Sequence, residues 1–420
     1  MTNPPRRTPF IDLLQGTMRV ARKVGLADKP VIERRALMER VSAETGLEDF
    51  GDDWFHAPYD RLVEAVHEEA HLNAAGEWAA MKQFEKMLRD RLWQQQWRKR
   101  HPEIDARALP HPVVVVGPMR SGTTRMQRLL ACDHRFNFLR SFETISPVPA
   151  PHFEPGRHDP RITLARRIMA VARLANPRTL NIHPTGPLQP EEELGLLCSS
   201  FWGMKHEAQW YVPGYGRWCE AGDATGAYRQ LARLLQLVGW SQQTSTLKPW
   251  ILKTPQHMLD LPALLEVFPD ARIIVTHRDP VSVVGSSASL AWNQTCIYSD
   301  HADPHAIGAE WMRKTRVQIQ RMRTARELLP RRRVIDVHYD EMESDWVATM
   351  ERVYRFLDLD IGPVLPRMER YQRRTREGKR RVHQYSLEEW GLTPERVLDE
   401  LGDYVKTYGV ASDARRSAEA

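Results

Sequence analysis

Cysteine is scarce in this chain: its 420 residues include only four, Cys132, Cys198, Cys219 and Cys296. They lie far apart and form no CxxC pair. That spacing argues against a disulfide framework or a cysteine zinc site, and it makes a reducing compartment the default. No other residue cluster suggests a metal. Long apolar runs are missing too. The longest aliphatic run is Val113–Val116, far short of the roughly 20 apolar residues that a membrane-spanning helix needs. The first residues, MTNPPRRTPF, hold two arginines but no apolar stretch behind them. They do not read as a secretory signal. These absences predict a soluble, cytoplasmic protein and leave peripheral membrane contact open. Charge of one sign is only slightly in excess, with 60 Lys+Arg against 54 Asp+Glu. That balance suits an anionic small ligand, and equally a membrane surface or nucleic acid, so alone it decides nothing.

What is present begins with helical patterning. Between Asp60 and Arg98, Leu62, Val66, Leu72, Trp78, Met81, Phe84, Met87 and Leu92 recur among charges near helical spacing. Residues 1–110 are therefore expected to form a helical N-terminal extension. The character changes at His111. The β-branched run Val113–Val116 meets Gly117 at once, and Met126, Leu129 and Leu130 then fall on one helical face. This order predicts a strand, a tight loop and a helix. Further strands are predicted at Trp250–Lys253, Arg272–His277 and Val334–Tyr339, with a helix at Pro262–Phe268. Strands separated by helices imply an α/β fold, a parallel sheet flanked by helices, over residues 111–410. Residues 145–190 are rich in Pro, His and Arg and predict loops around one helix, Ile162–Leu174. Thr393 and Pro394 suit the N-cap and first turn of a last helix, with Val397, Leu398, Leu401, Tyr404 and Val405 on one face. Ser386 and Glu389 are spaced as a capping box. The tail, residues 411–420, is expected to be disordered.

The segment Gly117-Pro-Met-Arg120-Ser121-Gly122-Thr123-Thr124 carries the strongest chemical signal. A glycine-containing loop between strand and helix turns backbone N–H groups inward, and the helix N-terminus adds positive potential. Gly122 allows close backbone approach. The hydroxyls of Ser121, Thr123 and Thr124 can donate to phosphate oxygens. The two glycines match the Walker pattern GxxxxGK, but Thr123 stands where its lysine would be. A nucleoside-triphosphate enzyme uses that lysine on the outer phosphates. The loop's cation is Arg120 instead.

The loop resembles the 5′-phosphosulfate-binding loop of sulfotransferases that use 3′-phosphoadenosine 5′-phosphosulfate. One departure is Met119, which stands where the family has proline, with Pro118 one place earlier. A second motif follows downstream. In RIIVTHRDPVSVVGS, Arg278 precedes Pro280 by two residues and Ser286 by eight. The family carries this arrangement to hold the 3′-phosphate, and an arginine's planar fork suits that task. The resemblance covers most of residues 111–405 and implies a P-loop-like sulfotransferase fold of a bacterial branch. It puts Arg120 on the bridging oxygen and sulfuryl group, Ser121, Gly122, Thr123 and Thr124 around the phosphosulfate, and Arg278 and Ser286 on the 3′-phosphate. Lys253 matches a lysine that assists the leaving phosphate. His257 lies two residues beyond the place of the cytosolic members' histidine, and fits a Leu-Lys-(Ser/Thr)-Pro-x-His form of the bacterial branch. Tyr339 matches a tyrosine near adenine. Arg380 and Arg381 lie in a basic loop like one that closes over the 3′-phosphate, or form a solvated charge run.

The implied reaction is in-line attack on sulfur by a hydroxyl or amine of a small-molecule, lipid or carbohydrate acceptor. It involves no metal and no nucleic acid. Cations at the bridging oxygen stabilise the transition state, and a base takes the acceptor's proton. The candidate bases are His257 and the run Glu191-Glu192-Glu193, with Glu192 central; that run would equally suit the first turn of a helix. Trp202, Trp210, Tyr211, Tyr215 and Trp218 would line an acceptor pocket shaped by the N-terminal helices and residues 145–245, or would be core. Two rivals share parts of this pattern: a small-molecule kinase, and a non-catalytic nucleotide binder.

Overall fold

The computed structural model describes residues 7–178, 185–377 and 386–410. Arg380, Arg381 and the 411–420 tail lie outside the described residues. Among those described, the N-terminal region holds α1 (Pro9–Lys23), α2 (Arg34–Thr45), α3 (His56–Glu68) and α4 (Ala74–Arg100). Then come β1 (Val113–Val116), α5 (Thr123–Leu130), β2 (Asn137–Phe138), α6 (Ser141–Ile145), α7 (Pro160–Ala175), α8 (Leu194–Leu197), α9 (Met204–Gln209), α10 (Pro213–Ala221) and α11 (Thr225–Ser241). The rest comprises β3 (Trp250–Lys253), α12 (His257–Val267), β4 (Arg272–His277), α13 (Pro280–Tyr298), α14 (Pro304–Glu327), β5 (Val334–His338), α15 (Tyr339–Ser344), α16 (Trp346–Phe356), α17 (Leu365–Glu377) and α18 (Pro394–Tyr408).

The strands form one sheet in the order β2-β3-β1-β4-β5, every neighbouring pair parallel. Parallel strands covered on both faces read as continuous apolar runs, which is what Val113–Val116 is. Side chains alternate between faces. Val114, Val116, Leu252 and Ile273 join one core, and Val113, Val115, Ile251 and Ile274 join the other. The second core is closed by Met126, Leu129 and Leu130 of α5 and by Met350, Val353 and Tyr354 of α16. The first is larger and includes Leu37, Val41, Tyr59, Leu62, Phe84 and Leu92 of the N-terminal helices. These helices therefore share the sheet's own core. Arg91 of α4 is buried with them, donating to the carbonyls of Phe50, Ser199 and Asp52 and stacking on Phe55. Burial pulls its pKa down to about 10, so it stays charged at neutral pH.

Several boundaries differ from expectation for local reasons. The helical pattern from Asp60 to Arg98 is broken between α3 and α4. Asn73 caps α4 by accepting from the Gly76 amide at 2.8 Å, and its own amide donates to Tyr298 O at 2.8 Å. A Cβ on Gly76 would lie 2.3 Å from that same carbonyl, so only glycine permits this approach. Trp78, counted with the apolar stripe, faces solvent. The helix expected at Pro262–Phe268 begins earlier, at His257, and kinks at Asp260 just ahead of Pro262. The fifth strand ends at His338, and Tyr339 already starts α15. No capping box forms at Ser386 and Glu389: a short 3-10 turn, Glu388–Trp390, follows Leu387 without a side-chain cap. The last helix is as expected, with Thr393 Oγ1 accepting from the Arg396 amide.

Candidate active site

The carboxyl ends of β1, β3, β4 and β5 open on one crevice, the usual ligand position in an open parallel sheet. After β1 the chain turns through Gly117 into a loop where Arg120 (φ 70°) and Gly122 (φ 91°) are left-handed. Gly122 then caps α5. Gly117 sits against β4: a Cβ there would be 2.1 Å from Thr276 Oγ1 and 2.7 Å from Ser121 Oγ. The Ser121 hydroxyl is buried and spent within the protein, donating to Pro118 O at 2.7 Å and lying 2.7 Å from Thr276 Oγ1. Ser121 thus fastens the loop to β4, while Thr123 and Thr124 face the crevice.

Beyond β4, Asp279 caps α13, accepting from the Val281 amide at 3.1 Å. Arg278 and Ser286 on this segment meet the loop directly. Arg278 Nη1 donates to Arg120 O at 2.8 Å, and Arg120 Nε donates to Ser286 Oγ at 3.0 Å. The Arg278 guanidinium lies 4.0 Å over the Tyr339 ring, and its Nε is buried without a hydrogen-bond partner. Burial pushes the Tyr339 phenol's pKa upward. Four residues separated by up to 219 positions therefore form one cluster.

Lys253 ends β3 with its side chain fully buried. Its Nζ donates to Thr124 Oγ1 at 3.2 Å and pairs with Glu192. The three adjacent glutamates part company here. Glu191 accepts from Thr185 Oγ1 at 2.8 Å and, with Glu192, lines the crevice. Glu193 turns inward, accepts from the Lys253 amide at 2.9 Å and pairs with His257 Nε2. His257 Nδ1 lies 2.7 Å from the Tyr228 hydroxyl, so both ring nitrogens are engaged in a fully buried environment. The helical-turn reading of this run is not what forms. The three glutamates precede α8, with Glu193 at its N-cap. Behind them Asp260 accepts from Trp202 Nε1 at 2.8 Å and Gln256 Nε2 at 2.7 Å, and burial raises its pKa to about 6.

The crevice widens into a cavity of about 640 Å³. One end is formed by Arg120, Gly122, Thr123, Thr124, Arg278 and Tyr339. Away from these, the lining is largely apolar, with Ile145, Ile168, Met169, Leu194, Ala208 and Leu290, interrupted by Ser141, Thr144, Thr185, Lys205 and Gln294. The N-terminal helices contribute nothing to this wall among the described residues. Nor do the five aromatics singled out from the sequence: Trp202, Trp210 and Tyr215 are buried core, and Tyr211 and Trp218 pack against it. Sequence reasoning missed Tyr228, which lies in no motif, and the tasks of Thr276 and Glu193, which lie inside stretches it had singled out but whose partners are distant in sequence.

A parallel sheet, a hydroxyl-rich loop running into a helix and cations gathered at the strand ends define an α/β protein with a positively charged crevice. The family model described as "Sulfotransferase family" matches residues 112–363, and the chain belongs to that family. It is 25% identical over 314 residues to the omega-hydroxy-beta-dihydromenaquinone-9 sulfotransferase Stf3 of Mycobacterium bovis, covering 71% of this chain and 75% of that one. The fold matches the solved sulfotransferase STF1 of Mycobacterium tuberculosis H37Rv with a TM-score of 0.78 and 28% identity, over 90% of this chain and 100% of that one. It matches sulfotransferase STF9 of Mycobacterium avium with a TM-score of 0.81 and 25% identity, over 92% and 99%. No helix among the described residues is long and apolar enough to cross a membrane.

Proposed function

We propose that this sulfotransferase takes its sulfuryl group from 3′-phosphoadenosine 5′-phosphosulfate and passes it to a hydroxyl of a lipid-like acceptor. One observation carries the reading: Arg120, Lys253, Arg278 and Ser286 converge at the strand ends, at the polar end of a cavity whose other wall is apolar. The residues fit the donor. Arg278 offers a buried Nε–H with no partner, as an anion's contact would require. A Cβ on Gly122 would crowd the Tyr339 ring at 3.1 Å, in the space between loop and ring. Bound there, the donor supplies the sulfuryl group and leaves as 3′-phosphoadenosine 5′-phosphate.

The chain's own residues then divide the work. Arg278 and Ser286 hold the 3′-phosphate, and Tyr339 borders the adenine. Thr123, Thr124 and the backbone around Gly122 cradle the phosphosulfate, while Ser121 holds the loop on β4 through Thr276. Arg120 and Lys253 neutralise charge at the bridging oxygen, where it grows in the transition state. Glu192 takes the acceptor's proton, because its carboxylate lines the cavity and contacts Lys253. His257, with both nitrogens engaged behind the cavity, is a positioning residue that anchors Glu193 beneath Lys253. The acceptor's class rests on the apolar wall and on the relative named for a hydroxylated dihydromenaquinone.

Thermal stability measured with 3′-phosphoadenosine 5′-phosphate, AMP, ADP and ATP, with and without magnesium, tests the donor. Ligand at a hundred times its dissociation constant should add about 2.7 kcal/mol. Stabilisation by the 3′-phosphorylated nucleotide alone is expected. Stabilisation only by ATP with magnesium would overturn the reading.

A further inference from the structure

Two helices, α7 at the cavity's rim and α1 packed against it, turn apolar side chains to solvent. On α1, Phe10, Leu13, Leu14, Val20 and, just past its end, Val24 are exposed, Leu13 by 72%. Their spacing places them on one face, while Ile11 and Gln15 are buried on the other. On α7, Leu164, Ile168 and Val171 follow at i, i+4 and i+7 and are exposed, as is Leu174. The helices touch: Thr8 Oγ1, at the start of α1, donates to Ala175 O, at the end of α7, at 2.8 Å. Paired apolar stripes of this kind mark an interaction surface rather than scattered exposure.

Charge says what meets it. α7 carries Arg161, Arg166, Arg167 and Arg173 and no acidic residue. α1 carries Arg19, Arg22 and Lys23; Arg22 pairs with Glu77 and Arg19 with Asp300, so Lys23 is the main cation it adds to the surface. Arg166, Arg167, Arg173 and Lys23 are exposed. An apolar stripe flanked by cations is the pattern of a helix lying in an anionic bilayer interface. A second copy docking symmetrically would set these arginines against their own equivalents. The surface is also continuous with the site. Ile168 and Ala172 are exposed and line the cavity, so α7 forms its rim.

We propose that α1 and α7 form a membrane-docking surface, which seats the mouth of the cavity on an anionic phospholipid bilayer. An apolar acceptor then enters along α7 without crossing water. That last clause rests on the lipid-like acceptor proposed above; the docking does not.

Flotation of the full chain with phosphatidylcholine vesicles, with and without phosphatidylglycerol, tests it. Binding to the mixed vesicles at low salt is expected, and weaker binding to phosphatidylcholine alone. Each arginine at an anionic surface contributes about fivefold to partitioning, so the triple variant Arg166→Glu, Arg167→Glu, Arg173→Glu should lose about 10² or more. The double variant Leu13→Glu, Val171→Glu should lose binding comparably. Both should keep the wild-type stabilisation by 3′-phosphoadenosine 5′-phosphate, which shows that the fold and nucleotide site are intact. Wild-type protein that fails to float with anionic vesicles overturns the proposal, as do variants that float like wild type. So does a dimer, seen by sedimentation, that Leu13→Glu and Val171→Glu dissolve in a protein that binds no vesicles. The donor reading fails separately: flotation without nucleotide stabilisation would remove the donor and leave the surface.

Discussion

The two ends of the cavity are built on opposite principles. At the strand ends, Arg120, Lys253, Arg278 and Ser286 are cross-linked by hydrogen bonds through the loop, with little freedom before any ligand arrives. At the far end, Ile168, Met169, Ala208 and Leu290 offer surface without directional contacts. Preorganised dipoles act on developing charge without reorganisation cost. An apolar wall selects by shape and area, and discriminates only modestly between similar ligands. On the proposed function, the first end takes one fixed donor and the second a class of acceptors.

Substitutions should separate the two ends. The largest effect is expected from Glu192→Gln, which should lower kcat by about 10²–10⁴ while donor affinity holds, if Glu192 is the base. His257→Asn is the control. It should mainly cost stability, on the order of 1–3 kcal/mol, by leaving Glu193 poorly partnered in the interior. Denaturant melts beside single-turnover rates would show the split, and the reverse pattern would return the base to His257. Arg120→Ala and Lys253→Met should each lower kcat by about 10²–10³, and full activity in both would remove the mechanism. Met169→Ala, on the apolar wall, should raise the acceptor's KM about tenfold. It should leave stabilisation by 3′-phosphoadenosine 5′-phosphate untouched. A change in nucleotide binding there would break the division between ends.

The smallest effect on activity concerns Asp260, behind both ends. Burial raises its pKa from 3.8 to about 6. The folded state then holds its proton at pH values where the unfolded chain has lost it. Its contribution is therefore full below pH 3.8 and is lost as pH rises towards about 6. Asp260→Asn should flatten that decline, on the order of 3 kcal/mol, in unfolding measured across this range. An unchanged pH profile would show that Asp260 titrates normally.

Legibility followed sequence distance. The strand, loop and helix around Arg120 lie within a few residues, so glycine, hydroxyls and cation announced their geometry together. The same holds for Arg278, Pro280 and Ser286. Ser121 shows where that reading stopped. Its hydroxyl looked like a phosphate donor, but Thr276, 155 residues away, claims it. Glu191, Glu192 and Glu193 are the same residue type in one unbroken run. Only their partners Thr185, Lys253 and His257 tell them apart. The aromatics from Trp202 to Trp218 could line a pocket or, as is commoner, belong to the core, and burial decided for the core.

By itself, the amino-acid sequence determined the parallel α/β architecture, the tight hydroxyl-rich loop between strand and helix, and the arginine–serine pairing beside it. Each rests on local periodicity or on the chemistry of a short turn. Tertiary structure alone decided that Glu191 and Glu192 face the cavity while Glu193 turns inward to His257, which stands behind it. It also decided that α6, α7 and α13 line the cavity and that the N-terminal helices join the sheet's core. These depend on burial and on contacts between distant segments, and those arise only when the chain closes on itself.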